Sequence, residues 1–167
     1  MAAILTAIGP DRPGLTGALA DAIVEAGGSW LESHFARLGD QYVGSVLVEL
    51  PESGLARLRA VAGAMGGDGL AVSVVEAGQG AAPQGRKLRF ELVGEDRPGI
   101  VREVATALAA MQVNIEELET ATEDAAMFGG RLFRAKARVM IPPGTSPDTV
   151  RARLERLSGE IIVDLED

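Results

Sequence analysis

Hydrophobic and polar positions follow the same order twice along the chain. In the first half, a continuous apolar run from Ala2 to Ile8 precedes a helical pattern with apolar residues at spacings of three and four. Two strand-like runs, Trp30–Leu38 and Gln41–Leu50, precede a second helical pattern and a last strand, Leu70–Glu76. This βαββαβ order predicts an α+β unit, in which a four-stranded antiparallel sheet carries both helices on one face.

The second half restates the order with one visible difference. Its middle strands are predicted at Ile115–Thr122 and Leu132–Ile141. The loop between them, Glu123–Gly130, is longer than the two-residue hairpin turn Gly39-Asp40 of the first half. The chain is therefore a tandem repeat of one small module.

The 167 residues suffice for two such modules, each with a modest core. Residues 78–86 are rich in glycine and small residues, a composition typical of a flexible linker. We expect a first domain at residues 1–77 and a second at 87–167. The open edges of the two sheets invite pairing with another copy, so we also expect a homodimer.

The tetrapeptide Asp-Arg-Pro-Gly occurs between the first strand and the first helix of both repeats. Proline suits the first turn of a helix, and glycine there lets a helix or a ligand approach closely. Free amides at a helix start favour a carboxylate, and the aspartate could bind an ammonium group, so the turn suits a free amino acid. The candidate binding residues of the turns are Asp11, Arg12, Gly14, Leu15, Asp96, Arg97, Pro98, Gly99 and Ile100.

A simpler interpretation of the same turns needs no ligand. Asp11 and Asp96 could cap the helices that follow and form salt bridges with the adjacent arginines. Capping explains the aspartate and the proline. It explains less well why a glycine follows the proline inside the first helical turn, where it costs up to about 1 kcal/mol.

Signatures of catalysis and metal binding are nearly absent from the sequence. Cysteine is missing and His34 is the single histidine, so thiolate sites and clusters of histidine ligands are excluded. The acidic residues from Glu116 to Asp124 should alternate between the two faces of a strand and form a solvated surface. We expect no enzyme activity, no catalytic residues, no metal and no cofactor.

The charge balance excludes several classes of partner. The 24 acidic and 16 basic residues give a net charge of −8, which disfavours direct contact with nucleic acid or an anionic membrane. The N-terminus lacks the charged region of a signal peptide, and no apolar run approaches the roughly 18 residues of a membrane span. We therefore expect a cytoplasmic location.

Taken together, the βαββαβ order, the Asp-Arg-Pro-Gly turns and the small residues after the first helix resemble ACT domains, which are ferredoxin-like regulatory modules that typically bind amino acids. Two further segments resemble the glycine cleavage system transcriptional repressor family. They are His34–Gly39 leading to Tyr42-Val43-Gly44, and Phe128–Phe133 leading to Ile141-Pro142. The resemblance implies a ligand at an interface, between the turn and the end of the first helix or the start of the second strand, and a polar residue is common at the latter place. Asn114 holds that position in the second repeat and Ser29 in the first.

The longer side chain of Asn114 favours the second repeat as the binding site, although asparagine is also frequent where helices stop. The resemblance implies a non-enzymatic protein that binds glycine or a similar amino acid and controls transcription through a DNA-binding regulator. One alternative is a detached regulatory subunit of an amino-acid biosynthetic enzyme. Others are an interaction module whose turns bind nothing, and an enzyme on this scaffold.

Overall fold

The computed structural model describes residues 1–78, 80, 84–125, 130–157 and 162–166. It divides into two compact units, here called the first domain (Met1–Gly80) and the second domain (Ala81–Asp167). The first domain contains β1 (Ala2–Pro10), α1 (Leu15–Glu25), β2 (Ser29–Leu38), β3 (Gln41–Glu49), α2 (Gly54–Ala64) and β4 (Ala71–Glu76). The second domain contains β5 (Arg86–Glu95), α3 (Ile100–Ala110), β6 (Asn114–Ala125), β7 (Gly130–Ile141), α4 (Pro147–Glu155) and β8 (Ile162–Glu166).

Each domain is built on a four-stranded antiparallel sheet. The strand order is β2-β3-β1-β4 in the first domain and β6-β7-β5-β8 in the second, so the first strand of each repeat is central. The predicted α+β class with βαββαβ topology is confirmed. Among the described residues, no helix is long and apolar enough to cross a lipid bilayer.

The cores lie between the helices and one face of each sheet. Along β1, the alternate residues Ala3, Leu5 and Ala7 are buried in one cluster with Leu19 and Ile23 of α1. In the second domain, Leu88, Phe90 and Leu92 pack in the same way against α3 and α4. Burying each of these large apolar side chains stabilises the fold by about 1.5–3 kcal/mol, which explains why the strand alternation identified the fold class.

The hairpin of the second domain differs from its prediction. β6 extends to Ala125 and β7 starts at Gly130, so the expected loop Glu123–Gly130 was too long. The strand ladder continues through the pair Asp124 and Arg131, whose opposite charges suit cross-strand neighbours. Residues 126–129, which include the start of the segment Phe128–Phe133, lie outside the described residues.

The expected linker is described only in part. β5 starts at Arg86, within the predicted linker 78–86. Residues 79 and 81–83 of that prediction lie outside the described part of the chain.

Candidate functional site

Both Asp-Arg-Pro-Gly turns end in a glycine with a left-handed backbone. Gly14 has φ 91° and Gly99 has φ 90°, and the helices α1 and α3 begin one residue later. The prediction that the prolines lie in the first helical turn is therefore wrong. A residue with a Cβ pays about 1–2 kcal/mol in this conformation, so the backbone requires glycine at the N-cap. A Cβ at either position would meet no atom within 4 Å, so close packing does not explain the glycines.

The aspartates of the turns do not cap the helices. Gly14 and Gly99 are the N-cap residues, and neither helix receives a side-chain capping hydrogen bond. The backbone amide of Asp11 instead donates to the carbonyl oxygen of Asp40 at 3.3 Å, and that of Asp96 donates to Arg131 at 2.8 Å. Each turn is thus fastened to its own β2–β3 or β6–β7 hairpin, and the capping interpretation is wrong.

The two aspartate carboxylates have different surroundings. Oδ2 of Asp11 lies 3.3 Å from Nε of Arg37, and Arg37 also donates to Asp40 Oδ1 at 2.5 Å. In the first domain, the aspartate of the turn therefore forms a salt bridge with an arginine of β2. For Asp96, no described residue offers a cation or a hydrogen-bond donor to the carboxylate.

One substitution between the repeats accounts for this difference. Arg37 pairs with Tyr42 in the sheet of the first domain, and at the matching place of the second domain Thr122 pairs with Phe133. The hydroxyl of Thr122 carries no charge and accepts a hydrogen bond from Arg131 Nη2 at 2.5 Å. Position 122 therefore gives Asp96 no salt bridge like that of Arg37 with Asp11, and the guanidinium of Arg131 nearby is hydrogen-bonded to Thr122.

Arg97, the arginine of the second turn, is held by a residue that the sequence analysis missed. Its guanidinium donates two hydrogen bonds to Glu103 on α3, at 2.8 and 2.5 Å. This hydrogen-bonded contact raises the pKa of Arg97 and lowers the pKa of Glu103. Ala18 occupies the matching helix position in the first repeat. A position-by-position comparison of the two repeats would have revealed Glu103, since a bidentate carboxylate is the preferred partner of arginine.

The start of α3 provides backbone donors beside this turn. The amide of Ile100 donates to Arg97 at 3.3 Å, and that of Glu103 donates to Gly99 at 3.0 Å. The amides of Val101 and Arg102 between them have no acceptor among the described residues. They lie at the positive end of the helix dipole, which favours an anion.

Asn114 and Ser29 do not join the turns within their own domains. Asn114 is the first residue of β6 and pairs with Met140, which pairs with Lys87 near the start of β5. Asp96 follows the opposite end of β5, roughly 25–30 Å away by strand rise. Asn114 is also not the residue that stops α3, since the left-handed position after that helix is Gln112 with φ 58°. The predicted binding residue at the start of the second strand is therefore remote from the Asp-Arg-Pro-Gly turn of the same domain.

The acidic residues of β6 form ion pairs. A bulge after Ile115 brings Glu116 and Glu117 together against Arg138, at 3.4 and 3.1 Å. The expectation that strand alternation separates these two carboxylates is wrong because the bulge adds one residue. No group of three or more potential metal ligands occurs among the described residues.

His34 lies on an exposed strand, with Nε2 3.1 Å from Glu32 Oε1. Its side chain is 59% exposed, and the contact is a surface interaction between neighbours on the same face of β2.

Comparisons with known proteins agree with the fold of the two domains. ACT-domain models match residues 2–64 and 89–138. An unknown protein from Galdieria sulphuraria superposes with a TM-score of 0.79 at 29% identity, covering 99% of this chain and 96% of its own. A candidate glycine cleavage system transcriptional repressor superposes with a TM-score of 0.73 at 15% identity, covering 99% and 97%, and shows the fold alone.

No curated protein matches the sequence. The two domain matches each span the turn and the helix that follows it, and together they cover more than half of the chain. The chain belongs to the ACT-domain family and carries two ACT domains in tandem.

Proposed function

We propose that this protein is a non-enzymatic regulator that binds a free amino acid at the turn of its second domain. The observation that carries the proposal is the difference between the two aspartates. Asp11 is already neutralised by Arg37 at 3.3 Å, whereas Asp96 meets no cation among the described residues. The ammonium group of a ligand can therefore pair with Asp96 in the second turn. In the first turn, Asp11 is already paired with Arg37.

The start of α3 favours a negatively charged group, whereas Asp96 favours a positively charged one. The α-carboxylate of an amino acid can accept hydrogen bonds from the amides of Val101 and Arg102, a contact worth about 0.3–1 kcal/mol when exposed and up to about 2 kcal/mol when partly buried. Arg97 does not neutralise Asp96, because Glu103 holds its guanidinium in two hydrogen bonds. Glycine, or another small amino acid, carries the ammonium group and the carboxylate that these two features favour.

Calorimetry with glycine, serine and other amino acids tests the proposal. Asp96→Asn removes the charge with little change of shape, and it should abolish or strongly weaken binding. Asp11→Asn is the matched control and should bind as the wild type does, because its carboxylate is occupied by Arg37. No heat with any amino acid at millimolar concentration, or a larger loss from Asp11→Asn, would contradict the proposal.

Asn114 can take part only from a second copy of the chain, because it lies at the other end of its own sheet. A role of Asn114 at this turn therefore requires the homodimer that we propose, in which the edge strand β6 is available for pairing with a second copy. If the two groups share a site, mixing Asp96→Ala and Asn114→Ala chains should restore about a quarter of the sites, since half of the mixed dimers' sites are intact. Equal inactivity before and after subunit exchange would exclude a role of Asn114 in a shared site.

We further propose that binding alters contact with a cytoplasmic, DNA-binding regulator of transcription. The net charge of −8 favours action through a protein rather than on DNA itself. The fold likeness to a candidate glycine cleavage system repressor is consistent with this role. A pulldown with and without amino acid tests it. Recovery of a biosynthetic enzyme in place of a regulator would favour the alternative of a detached regulatory subunit.

A further inference from the structure

An aromatic cluster fills the space between the first helix and the β2–β3 hairpin in the first domain. The ring of Phe35 lies directly over Gly44 and stacks on Tyr42, with ring centroids 4.9 Å apart. Trp30 packs against Phe35 at 6.0 Å. The hydroxyl of Tyr42 hydrogen-bonds Thr16 on α1 at 2.8 Å, which ties the cluster to the helix.

The matching space in the second domain is an apolar pocket. Thr120 pairs with Ala135 where Phe35 pairs with Gly44, so no aromatic ring covers the strand. Phe133 replaces Tyr42, and Val101 replaces Thr16. These residues, with Val104, Ile115 and Leu118, enclose a pocket between α3, β6 and β7 that has room for about one methyl-sized group.

The pocket lies beside the turn that carries Asp96. Phe133 pairs with Gly94, two residues before Asp96, a separation of about 7 Å along the strand. Val101 contributes both its side chain to the pocket and its amide to the start of α3. Because Val101 and Leu118 are 43% and 42% exposed, the pocket is open to solvent at this rim.

We infer that this pocket receives the side chain of the amino acid bound at the second turn, so that L-alanine is preferred to glycine. The inference rests on the proposed function and adds a specificity determinant to it. In this arrangement the ammonium group lies at Asp96, the carboxylate at the start of α3, and the Cβ methyl in the adjoining pocket, which Val101 lines. Longer side chains exceed the space, and the first domain cannot offer the same site because Phe35 fills it.

A ligand series on the wild-type chain tests the inference without any substitution. Burial of one methyl group predicts that L-alanine binds about fourfold more tightly than glycine by calorimetry. L-2-aminobutyrate should bind no better than L-alanine, and L-leucine should bind more weakly than glycine. Binding of glycine and L-alanine with equal affinity overturns the inference and leaves the proposed function intact. Absence of binding by every amino acid overturns both.

Two variants examine the pocket directly. Thr120→Phe combined with Ala135→Gly rebuilds the filled arrangement of the first domain, and it should remove the preference for L-alanine. Val101→Ala enlarges the pocket at its exposed rim and should shift the preference towards L-2-aminobutyrate. Phe35→Thr combined with Gly44→Ala makes the reverse exchange in the first domain and is the matched control, with an unchanged preference. If Thr120→Phe combined with Ala135→Gly alters self-association and leaves the preference for L-alanine over glycine unchanged, the pocket serves a second copy of the chain and the inference is wrong.

Discussion

Gly44→Ala should destabilise the first domain although it adds a single methyl group. A Cβ at position 44 would overlap the ring of Phe35, which lies over the glycine as part of the aromatic cluster. The ring cannot simply rotate away, because it is stacked on Tyr42 and packed against Trp30. The added methyl therefore displaces Phe35 from the cluster or strains the strand below it.

The magnitude follows from the contacts that are lost. Overpacking a well-filled site costs about 1–3 kcal/mol, and an aromatic pair contributes about 0.5–1.5 kcal/mol beyond its buried area. We expect a loss of about 2 kcal/mol in the free energy of unfolding. For a domain of this size, that corresponds to a fall in Tm of about 8–16 °C.

Tryptophan fluorescence is the suitable assay, since Trp30 is the single tryptophan and belongs to the affected cluster. Unfolding in denaturant then reports the first domain by itself. Gly63→Ala is the matched control: it lies in α2 with no atom within 4 Å of the new Cβ, and it should stabilise by up to about 1 kcal/mol.

A double-mutant cycle isolates the cause. In a Phe35→Ala background the ring is absent, so Gly44→Ala should become neutral or slightly stabilising, as expected for alanine in a strand. The reasoning is refuted if Gly44→Ala costs the same in both backgrounds, or if it costs nothing in the wild type.

Two further predictions concern the turns. Gly99→Ala should lower the stability of the second domain by about 1–2 kcal/mol, because the residue has φ 90°. Thermal unfolding followed by circular dichroism measures the loss, and Gly99→Asn should cost less. Equal stability of the wild type and both variants would contradict the backbone strain at this position. The lowered pKa of Glu103 means that its pairing with Arg97 stabilises the fold above the ordinary pKa of a free glutamate, and this contribution is lost as the pH falls through the lowered value. Glu103→Ala should therefore show a weaker loss of stability on acidification than the wild type, and parallel pH profiles would argue against the pairing.

The fold was predictable from the sequence because burial imposes a period on the apolar residues. The alternation of Leu88, Phe90 and Leu92 is the pattern of a strand with one buried face, and the structure buries all three. The ends of the hairpin were not predictable in the same way. Polar residues such as Asp124 and Arg131 can lie in a loop or pair across strands, and composition does not distinguish the two.

For the candidate site, the sequence predicted only where the turns lie along the chain. The motif identified the strand-to-helix turn, but the sequence does not specify that Gly14 and Gly99 have a positive φ. The distance between Asp96 and Asn114 depends on the register of β6 with β7, which nothing in the motif specifies. Phe35 could have been linked to Gly44, because a glycine inside a strand often marks a close approach.

The two turns have the same backbone conformation, but they differ in the residues that surround their aspartates. Gly14 and Gly99 have the same conformation in both domains, and the fold needs it whether or not a ligand binds. The residue that forms a salt bridge with Asp11 lies outside the motif, at Arg37, and Thr122 holds the matching strand position in the other domain. Identical motifs therefore do not imply identical surroundings. The strand residues that face each turn distinguish a turn whose aspartate forms a salt bridge with an arginine from one whose aspartate has no such partner among the described residues.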